Sequence, residues 1–205
     1  MKSPIHFGTS GWRGLIAHDF TFEYLRLATQ GLALTLKSEL RRKNSPIHDK
    51  RPLVVIGHDT RFLGRKFALA AAEILQQAGL EPLLTQRDAP TPVIALGIRH
   101  KKAIGGVNIT ASHNPFGYSG FKFSMPNGAG APPEFTGKIE AHAEKLLTKG
   151  WQPKTAVIGT FSCSEFNPAP AYLRRIRKLI DLRAIGKAKL RIACLLYTSD
   201  AADEG

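Results

Sequence analysis

Two hydrophobic patterns alternate along the first 150 residues: short continuous apolar runs, and longer runs with one apolar face at helical spacing. A short apolar run is typical of a buried strand, and one-sided spacing over ten or more residues is typical of a helix. The strand-like runs are 53–57, 81–84, 103–110 and 121–123. The helix-like runs are 20–40, with Thr21 as its N-cap, 64–77, 91–100 and 133–147. The alternation predicts a layered α/β domain that closes near Gly150.

Segments outside these runs are interpreted from their glycine, proline and charge content. Residues 5–14 carry three glycines in seven positions, which predicts a loop. Residues 151–170 are polar and turn-rich, with Asn-Pro-Ala-Pro at 167–170, and are predicted to be a linker. A basic helix over 171–180 and a strand over 189–193 then indicate the start of a second domain.

The last segment, 194–205, does not continue this pattern. Its sequence, Cys-Leu-Leu-Tyr-Thr-Ser-Asp-Ala-Ala-Asp-Glu-Gly, resembles the translation of a sequencing adapter. Segments of that kind are left out of fold reasoning, so the native sequence is expected to stop near Ala193. A native polar tail is the alternative interpretation.

Composition narrows the class of protein. The 205 residues are 43% hydrophobic and 22% charged, which is typical of a globular chain with one full core. Two cysteines exclude a disulfide framework and a cysteine-rich zinc module. No apolar run reaches the roughly 18 residues of a membrane helix, and the N-terminus lacks the apolar region of a signal peptide. We therefore expect a cytoplasmic location and no membrane partner.

The net charge of +13 raises the question of an anionic partner. Basic residues cluster at 41–51 and 172–191, which a solvated helix face and a basic loop explain. A basic field could equally serve a small anion such as a sugar phosphate. No aromatic platform interleaves with the charges and no docking motif occurs, so nucleic acid is not the expected partner.

The candidate chemistry centres on Thr-Ala-Ser-His-Asn-Pro at 110–115, directly after a predicted strand. A serine that leaves a strand on a glycine-rich turn can be exposed and closely approached by a phosphate. His113 and Asn114 place a titratable ring and an amide beside Ser112. The Ser–His pair alone is weak evidence for a nucleophile and its base, because neighbours on an extended chain point to opposite sides.

Other segments supply polar and charged groups that suit the same chemistry. Thr9, Ser10 and Arg13 lie in a glycine-rich segment whose guanidinium suits phosphate oxygens. Lys122 lies between two phenylalanines on a strand and faces away from both. Partial desolvation there could let the amine act as an acid or a base.

Asp59 and Arg61 end another predicted strand. They share a facing if that strand extends, and they could pair to brace the site. A bracing ion pair without a chemical role is the simpler interpretation of these two residues.

Five motifs in order resemble the α-D-phosphohexomutase family of phosphoglucomutases, phosphomannomutases and phosphoglucosamine mutases. The opening motif points to the bacterial phosphoglucomutase/phosphomannomutase group. The resemblance covers residues 5 to about 193 and implies a three-layer αβα domain with a mixed sheet. The motifs are Gly-Thr-Ser-Gly-Trp-Arg-Gly at 8–14, Gly-His-Asp-Thr-Arg at 57–61, Pro-Thr-Pro at 90–92, the 106–115 segment and Gly-Phe-Lys at 120–122.

The resemblance implies a mechanism. Ser112 would carry a phosphoryl group and pass it to a hexose monophosphate, which gives a hexose 1,6-bisphosphate intermediate that also serves as activator. Mg²⁺ would bind the serine phosphate. Arg13, His113 and Lys122 match family residues beside that phosphate. Thr9, Ser10 and Asn114 are the candidate residues that would surround the serine phosphate.

The departures from the family pattern matter as much. The family has four domains, with an Asp-x-Asp-x-Asp-Arg metal loop in domain 2, a sugar-reading loop in domain 3 and a phosphate-binding loop in domain 4. None of these loops occurs in this sequence. The resemblance implies the phosphoserine domain at 1–150, a linker at 151–170 and the start of domain 2 at 171–193. Such a fragment of a longer polypeptide is expected to lack efficient mutase activity, and a non-catalytic phosphosugar-binding module is the alternative.

Overall fold

The computed structural model describes residues 5–9, 11–42, 52–153 and 161–191, which form a sheet with helices on both faces. The strands are β1 Trp12–Leu15, β2 Leu53–His58, β3 Glu81–Thr85, β4 Gly105–Ile109, β5 Tyr118–Ser124 and β6 Ser164–Phe166. The helices are α1 Phe22–Arg42, α2 Gly64–Gln77, α3 Thr91–His100, α4 Pro133–Thr148, α5 Ala169–Leu179 and α6 Leu182–Lys187.

The sheet is mixed, with strand order β1-β5-β4-β2-β3-β6. Strands β4, β2, β3 and β6 are parallel neighbours, and β5 runs antiparallel to both β1 and β4. The carboxyl ends of β2, β3 and β4 therefore lie at one edge of the sheet. In open α/β sheets this edge is the usual place for a binding site.

Alternate residues of β2 enter two separate cores. Val54 and Ile56 belong to a cluster that includes apolar residues of α1, α2 and α4. Val55, on the opposite face, packs with residues of α3, and α5 contacts α3 on that side. The arrangement confirms the α/β class and the three layers implied by the resemblance.

Local signals explain several element boundaries. The Thr21 hydroxyl accepts a hydrogen bond from the Tyr24 amide at 3.2 Å, as expected of an N-cap. Helix α2 ends where Gly79 adopts a φ of +81°, a left-handed conformation that glycine takes without steric cost.

Within the described residues, no helix is both long and apolar enough to cross a membrane.

The predicted loop over residues 5–14 is wrong at its end. Strand β1 begins at Trp12 and pairs with β5 in the register Trp12 with Phe121. Trp12 is fully buried and its ring lies 4.7 Å from that of Phe20. Pairing with a distant strand and burial of the indole override the local glycine content.

The predicted linker at 151–170 contains β6, which adds an edge strand beside β3. Phe166 of β6 is buried against α3, where Gly97 leaves room for its ring. Three residues with a single buried side chain carry too little periodicity to predict a strand. The sheet therefore extends beyond Gly150.

The last described segment also differs from prediction. The basic helix begins at Ala169 rather than at residue 171, and the sequence did not predict α6. Residues 189–191 form no strand, and the rest of the predicted strand, together with residues 194–205, lies outside the described residues. The division into domains remains a prediction.

Candidate active site

Ser112 lies on an exposed turn at the carboxyl end of β4. Its φ is +59°, its amide donates to Thr110 Oγ1 at 3.0 Å, and the Asn114 amide donates to the Ala111 carbonyl at 3.2 Å. The chain therefore reverses at Ser112, and the extended geometry assumed from sequence is wrong there. A left-handed serine is strained, and such strain is typical of functional sites. The turn presents the hydroxyl to solvent.

The side chain of Arg61 braces this turn through hydrogen bonds to its backbone. Its side chain is 4% exposed, and its Nη2 donates to the carbonyl oxygens of Ser112 at 3.1 Å and Asn114 at 2.5 Å. Its Nη1 donates to the carbonyl oxygens of Pro115 at 2.8 Å and Tyr118 at 3.3 Å. One planar cation thus satisfies four backbone acceptors of a single loop.

Asp59 orients that guanidinium. Its Oδ2 lies 3.5 Å from Arg61 Nε, and its Oδ1 accepts the Arg61 amide hydrogen at 3.0 Å. The two residues form the ion pair that their shared facing suggests. With the guanidinium turned to backbone carbonyls, the pair supports the loop.

Arg13 reaches the same loop from β1. Its Nη1 donates to Asn114 Oδ1 at 2.9 Å, across 101 positions of sequence. This contact fixes the Asn114 amide and places a second guanidinium beside the Ser112 turn. His113 is exposed on the turn itself. The structure therefore brings Arg13, His113 and Asn114 together around Ser112.

Lys122 lies on β5, half-buried, and faces the side of the sheet that carries α3. Burial lowers the pKa of its amine, and the positive charge of Arg13 lowers it further, while Asp59 acts in the opposite direction. A lowered pKa increases the fraction of neutral amine near neutral pH. Lys122 thus holds its proton less tightly than an exposed lysine does.

Gly11 approaches Lys122 closely. Gly8 and Gly11 exchange backbone hydrogen bonds at 3.1 and 3.3 Å, and Gly11 has a φ of +104°. A Cβ on Gly11 would lie 2.7 Å from Lys122 Cγ, so only glycine fits there. Thr9 is exposed and lines one cleft with Lys122. Ser10 lies outside the described residues.

Comparison with known proteins decides the family. A family model described as phosphoglucomutase/phosphomannomutase, alpha/beta/alpha domain I, matches residues 4–149. The chain belongs to the phosphoglucomutase/phosphomannomutase family.

Relatives of this family extend well beyond the chain. A phosphoglucomutase/phosphomannomutase of Thermococcus kodakarensis is 32% identical over 185 residues, which span 89% of this chain and 37% of the relative. A phosphoglucosamine mutase of Bordetella petrii is 35% identical over 147 residues, which span 72% of this chain and 32% of the relative. The chain spans about a third of the length of these relatives.

A solved structure supports the same assignment. The crystal structure of a candidate phosphomannomutase from Thermus thermophilus superposes with a TM-score of 0.73 at 35% identity. The superposition covers 90% of this chain and 38% of that one. The sheet of the family domain is thus present in this chain.

The metal expected of a phosphohexomutase is not accounted for by the described residues. They contain no group of three or more histidine, cysteine, aspartate or glutamate side chains arranged to hold an ion. Asp59 is the carboxylate that lies within one of the five motifs, and it is paired with Arg61. A phosphate on Ser112 could offer one oxygen, but the residues described here do not complete a magnesium site.

Asn108 and Thr91 line the same cleft as Lys122 and were not among the site residues predicted from the sequence. Asn108 is buried on β4, and its Nδ2 donates to Thr91 Oγ1 at 2.9 Å. A polar side chain inside the Gly-Gly-Val-Asn-Ile strand was the available signal, since a buried amide needs partners. Only the sheet register shows that Asn108 lies opposite Lys122.

Proposed function

We propose that the chain is the phosphoserine domain of a phosphohexomutase that interconverts hexose 1-phosphates and hexose 6-phosphates. The observation that carries the proposal is the exposed, left-handed Ser112 turn, held by Arg61 and adjoined by Arg13. Family membership supplies the reaction class. A hydroxyl so presented can hold a phosphoryl group and release it.

The proposed reaction has two transfers. First, the Oγ–P bond of phosphorylated Ser112 breaks while a hydroxyl oxygen of the hexose monophosphate bonds to phosphorus, which gives a 1,6-bisphosphate. The bisphosphate then reorients, and its other phosphoryl group returns to Ser112. In the first transfer the sugar hydroxyl loses a proton and the departing Ser112 Oγ gains one. The neutral amine of Lys122 is proposed to accept the first proton and, as the ammonium, to return it to Oγ. The second transfer reverses these proton movements.

Positive charge would stabilise the transferred group. Arg13 lies where its guanidinium can meet phosphate oxygens, and His113 adds a side chain on the turn itself. Charge on the equatorial oxygens of a phosphoryl group is best stabilised by cations that are already in place. Thr9, Ser10 and Asn114 are proposed to line the phosphate loop.

Mg²⁺ is also part of the proposal, although the described residues do not complete its site. When bound, the ion would neutralise phosphate charge. We assign no step to it. Sugar selection is likewise assigned to the part of the relatives that this chain does not span, so we expect little turnover from this chain alone.

Phosphoryl transfer to the serine tests the proposal directly. The chain is incubated with glucose 1,6-bisphosphate and Mg²⁺, and intact mass and peptide mapping locate any phosphoryl group. We expect it on Ser112 in the wild type and in Ser124→Ala, and not in Ser112→Ala. A wild-type chain that binds the sugar phosphate in calorimetry but never acquires the phosphoryl group would favour a non-catalytic binding module.

A further inference from the structure

A cleft of about 200 Å³ opens beside Lys122 on the α3 side of the sheet. Its walls come from residues 7–9, Gly11, the start of α3 and the adjoining parts of β4 and β5, and from residues 128, 130, 131 and 136. Ser112, Arg13 and His113 do not line it. Lys122, whose pKa responds to the charges of Arg13 and Asp59, thus also lines a cleft that neither of these residues lines.

Asn108 lies directly across from Lys122 in that space. The two residues are register partners of the antiparallel strands β4 and β5, so both side chains leave the same face of the sheet. Side chains in such a pair start about 5 Å apart. Asn108 is 4% exposed, and both residues line the cleft.

The hydrogen bonds of Asn108 are half complete. Its Nδ2 donates to Thr91 Oγ1, which leaves Oδ1 to face another donor. Oδ1 is buried and has no partner within the described part of the chain. A buried amide oxygen without a donor is unfavourable, so native structures rarely leave one unpaired.

The other side chains around the cleft are poorer donors for this oxygen. The hydroxyl of Thr136 donates to the Pro133 carbonyl, and Thr9 is exposed on its turn. Ser124 has a short side chain and pairs with Gly106, two positions before Asn108 on β4. Lys122 has a long flexible chain and up to three donor hydrogens, and it starts directly opposite.

We propose that Asn108 is a positioning residue for Lys122: Asn108 Oδ1 accepts a hydrogen bond from Lys122 Nζ, and Thr91 fixes the amide that does so. With one N–H held by this carbonyl, the lone pair of the neutral amine is free to turn toward a hydroxyl at the Ser112 turn. The proton taken from that hydroxyl forms an ammonium, which the same carbonyl stabilises. This role in catalysis rests on the proposed function, whereas the Asn108–Lys122 contact does not.

Two charged groups affect the pKa of Lys122 in addition to the Asn108 amide. Arg13 on β1 disfavours its ammonium form, and Asp59 after β2 favours it. Thr91 at the start of α3 and Gly128, Gly130 and Ala131 across the cleft are uncharged. Substitutions at Asn108 therefore leave these other groups around Lys122 unchanged.

Trace acetylation of lysines as a function of pH, read by peptide mass spectrometry on the full chain, tests the contact. Exposed Lys66 serves as the internal reference in each sample. In Asn108→Asp the carboxylate should raise the midpoint of Lys122 labelling by about one pH unit, which lowers its rate about tenfold on the acidic side. Asn108→Leu should move the midpoint down, and Thr91→Val should do so by less.

The control variant and the shape of the labelling curve distinguish a change in the pKa of Lys122 from a change in its accessibility to the reagent. Ser124→Ala removes a hydroxyl that also lines the cleft and should leave the midpoint unchanged. A change in access alone scales the labelling curve without moving its midpoint. The proposal is overturned if Asn108→Leu and Thr91→Val, each checked for folding by thermal unfolding, leave the Lys122 midpoint at its wild-type value. Labelling requires no turnover, so this outcome differs from a failure of the proposed reaction.

Discussion

The guanidinium of Arg61 donates to the carbonyl oxygen of Ser112 at 3.1 Å, across 51 positions of sequence. The residue that braces the turn and the residue that presents the hydroxyl thus lie on different loops, after β2 and after β4. The geometry of Ser112 therefore depends on the sheet order that makes these strands neighbours.

Replacement of Arg61 should destabilise the chain and loosen the Ser112 turn. Arg61→Lys loses the planar fork that reaches four carbonyls and leaves some of those acceptors unpaired in a buried place. We expect a loss of roughly 3 kcal/mol in the free energy of unfolding, measured by urea denaturation. Arg65→Lys is the matched control, because its ion pair with Glu165 is solvent-exposed and should cost less than about 1 kcal/mol.

The backbone at Ser112 predicts an unusual ranking of variants. Its φ of +59° is unfavourable for any side chain and free of cost for glycine. Ser112→Gly should be more stable than Ser112→Ala by about 1 kcal/mol in thermal or urea unfolding. Gly79→Ala should lose a similar amount of stability, since Gly79 has a φ of +81° and the open space around the added Cβ leaves only the backbone penalty. Equal stability of Ser112→Gly and Ser112→Ala would argue against the left-handed turn.

Gly11 predicts a steric effect on Lys122. A Cβ at Gly11 would lie 2.6 Å from the Phe121 carbonyl oxygen and 2.7 Å from Lys122 Cγ, so the turn or β5 must move. We expect Gly11→Ala to cost roughly 2 kcal/mol or more in unfolding and to reduce phosphorylation of Ser112. Gly130→Ala, whose Cβ meets nothing within 4 Å, is the control and should leave both measurements near wild type.

The lowered pKa of Lys122 makes stability depend on pH. Below its folded-state pKa the lysine is charged in both states, and burial opposes folding in full. Between that pKa and the ordinary value of 10.5 the unfolded chain binds more protons, so stability increases as pH rises. Lys122→Met should therefore gain most over wild type at about pH 7 and less at about pH 10, as measured by urea unfolding.

A matched substitution separates this effect from general changes with pH. Lys66 is exposed on α2, so Lys66→Met should change stability by the same amount at both pH values. A stability difference between Lys122→Met and wild type that does not change with pH would contradict a lowered pKa for this amine.

Helices α5 and α6 predict local mobility and association. None of their residues is buried, and Leu179 is 62% exposed. We expect amides of residues 171–191 to exchange faster than those of β4 in hydrogen–deuterium exchange, because few apolar contacts hold these helices. Leu179→Glu should reduce any self-association in light scattering. Uniform protection from residue 171 to residue 191 would contradict the prediction.

Short-range chemistry determined most of the secondary structure. Helices α1 to α4 and strands β2 to β5 follow from hydrophobic period and from local stops such as Gly79, because these signals act within a few residues. The same holds for the exposure of Ser112, which sits in a motif of small and turn-forming residues. The order and spacing of five motifs were enough to indicate the family.

Tertiary structure decided what depends on distant partners. Strands β1 and β6 exist because β5 and β3 offer edges to pair with, which no local pattern records. The four carbonyls bound by Arg61 and the pairing of Asn108 with Lys122 follow from sheet order and register. The residue types in a sequence specify which groups are available. Which of these groups come into contact depends on strand pairing. Hydrogen bonds between strands and burial of the two cores bring together residues that lie far apart along the chain.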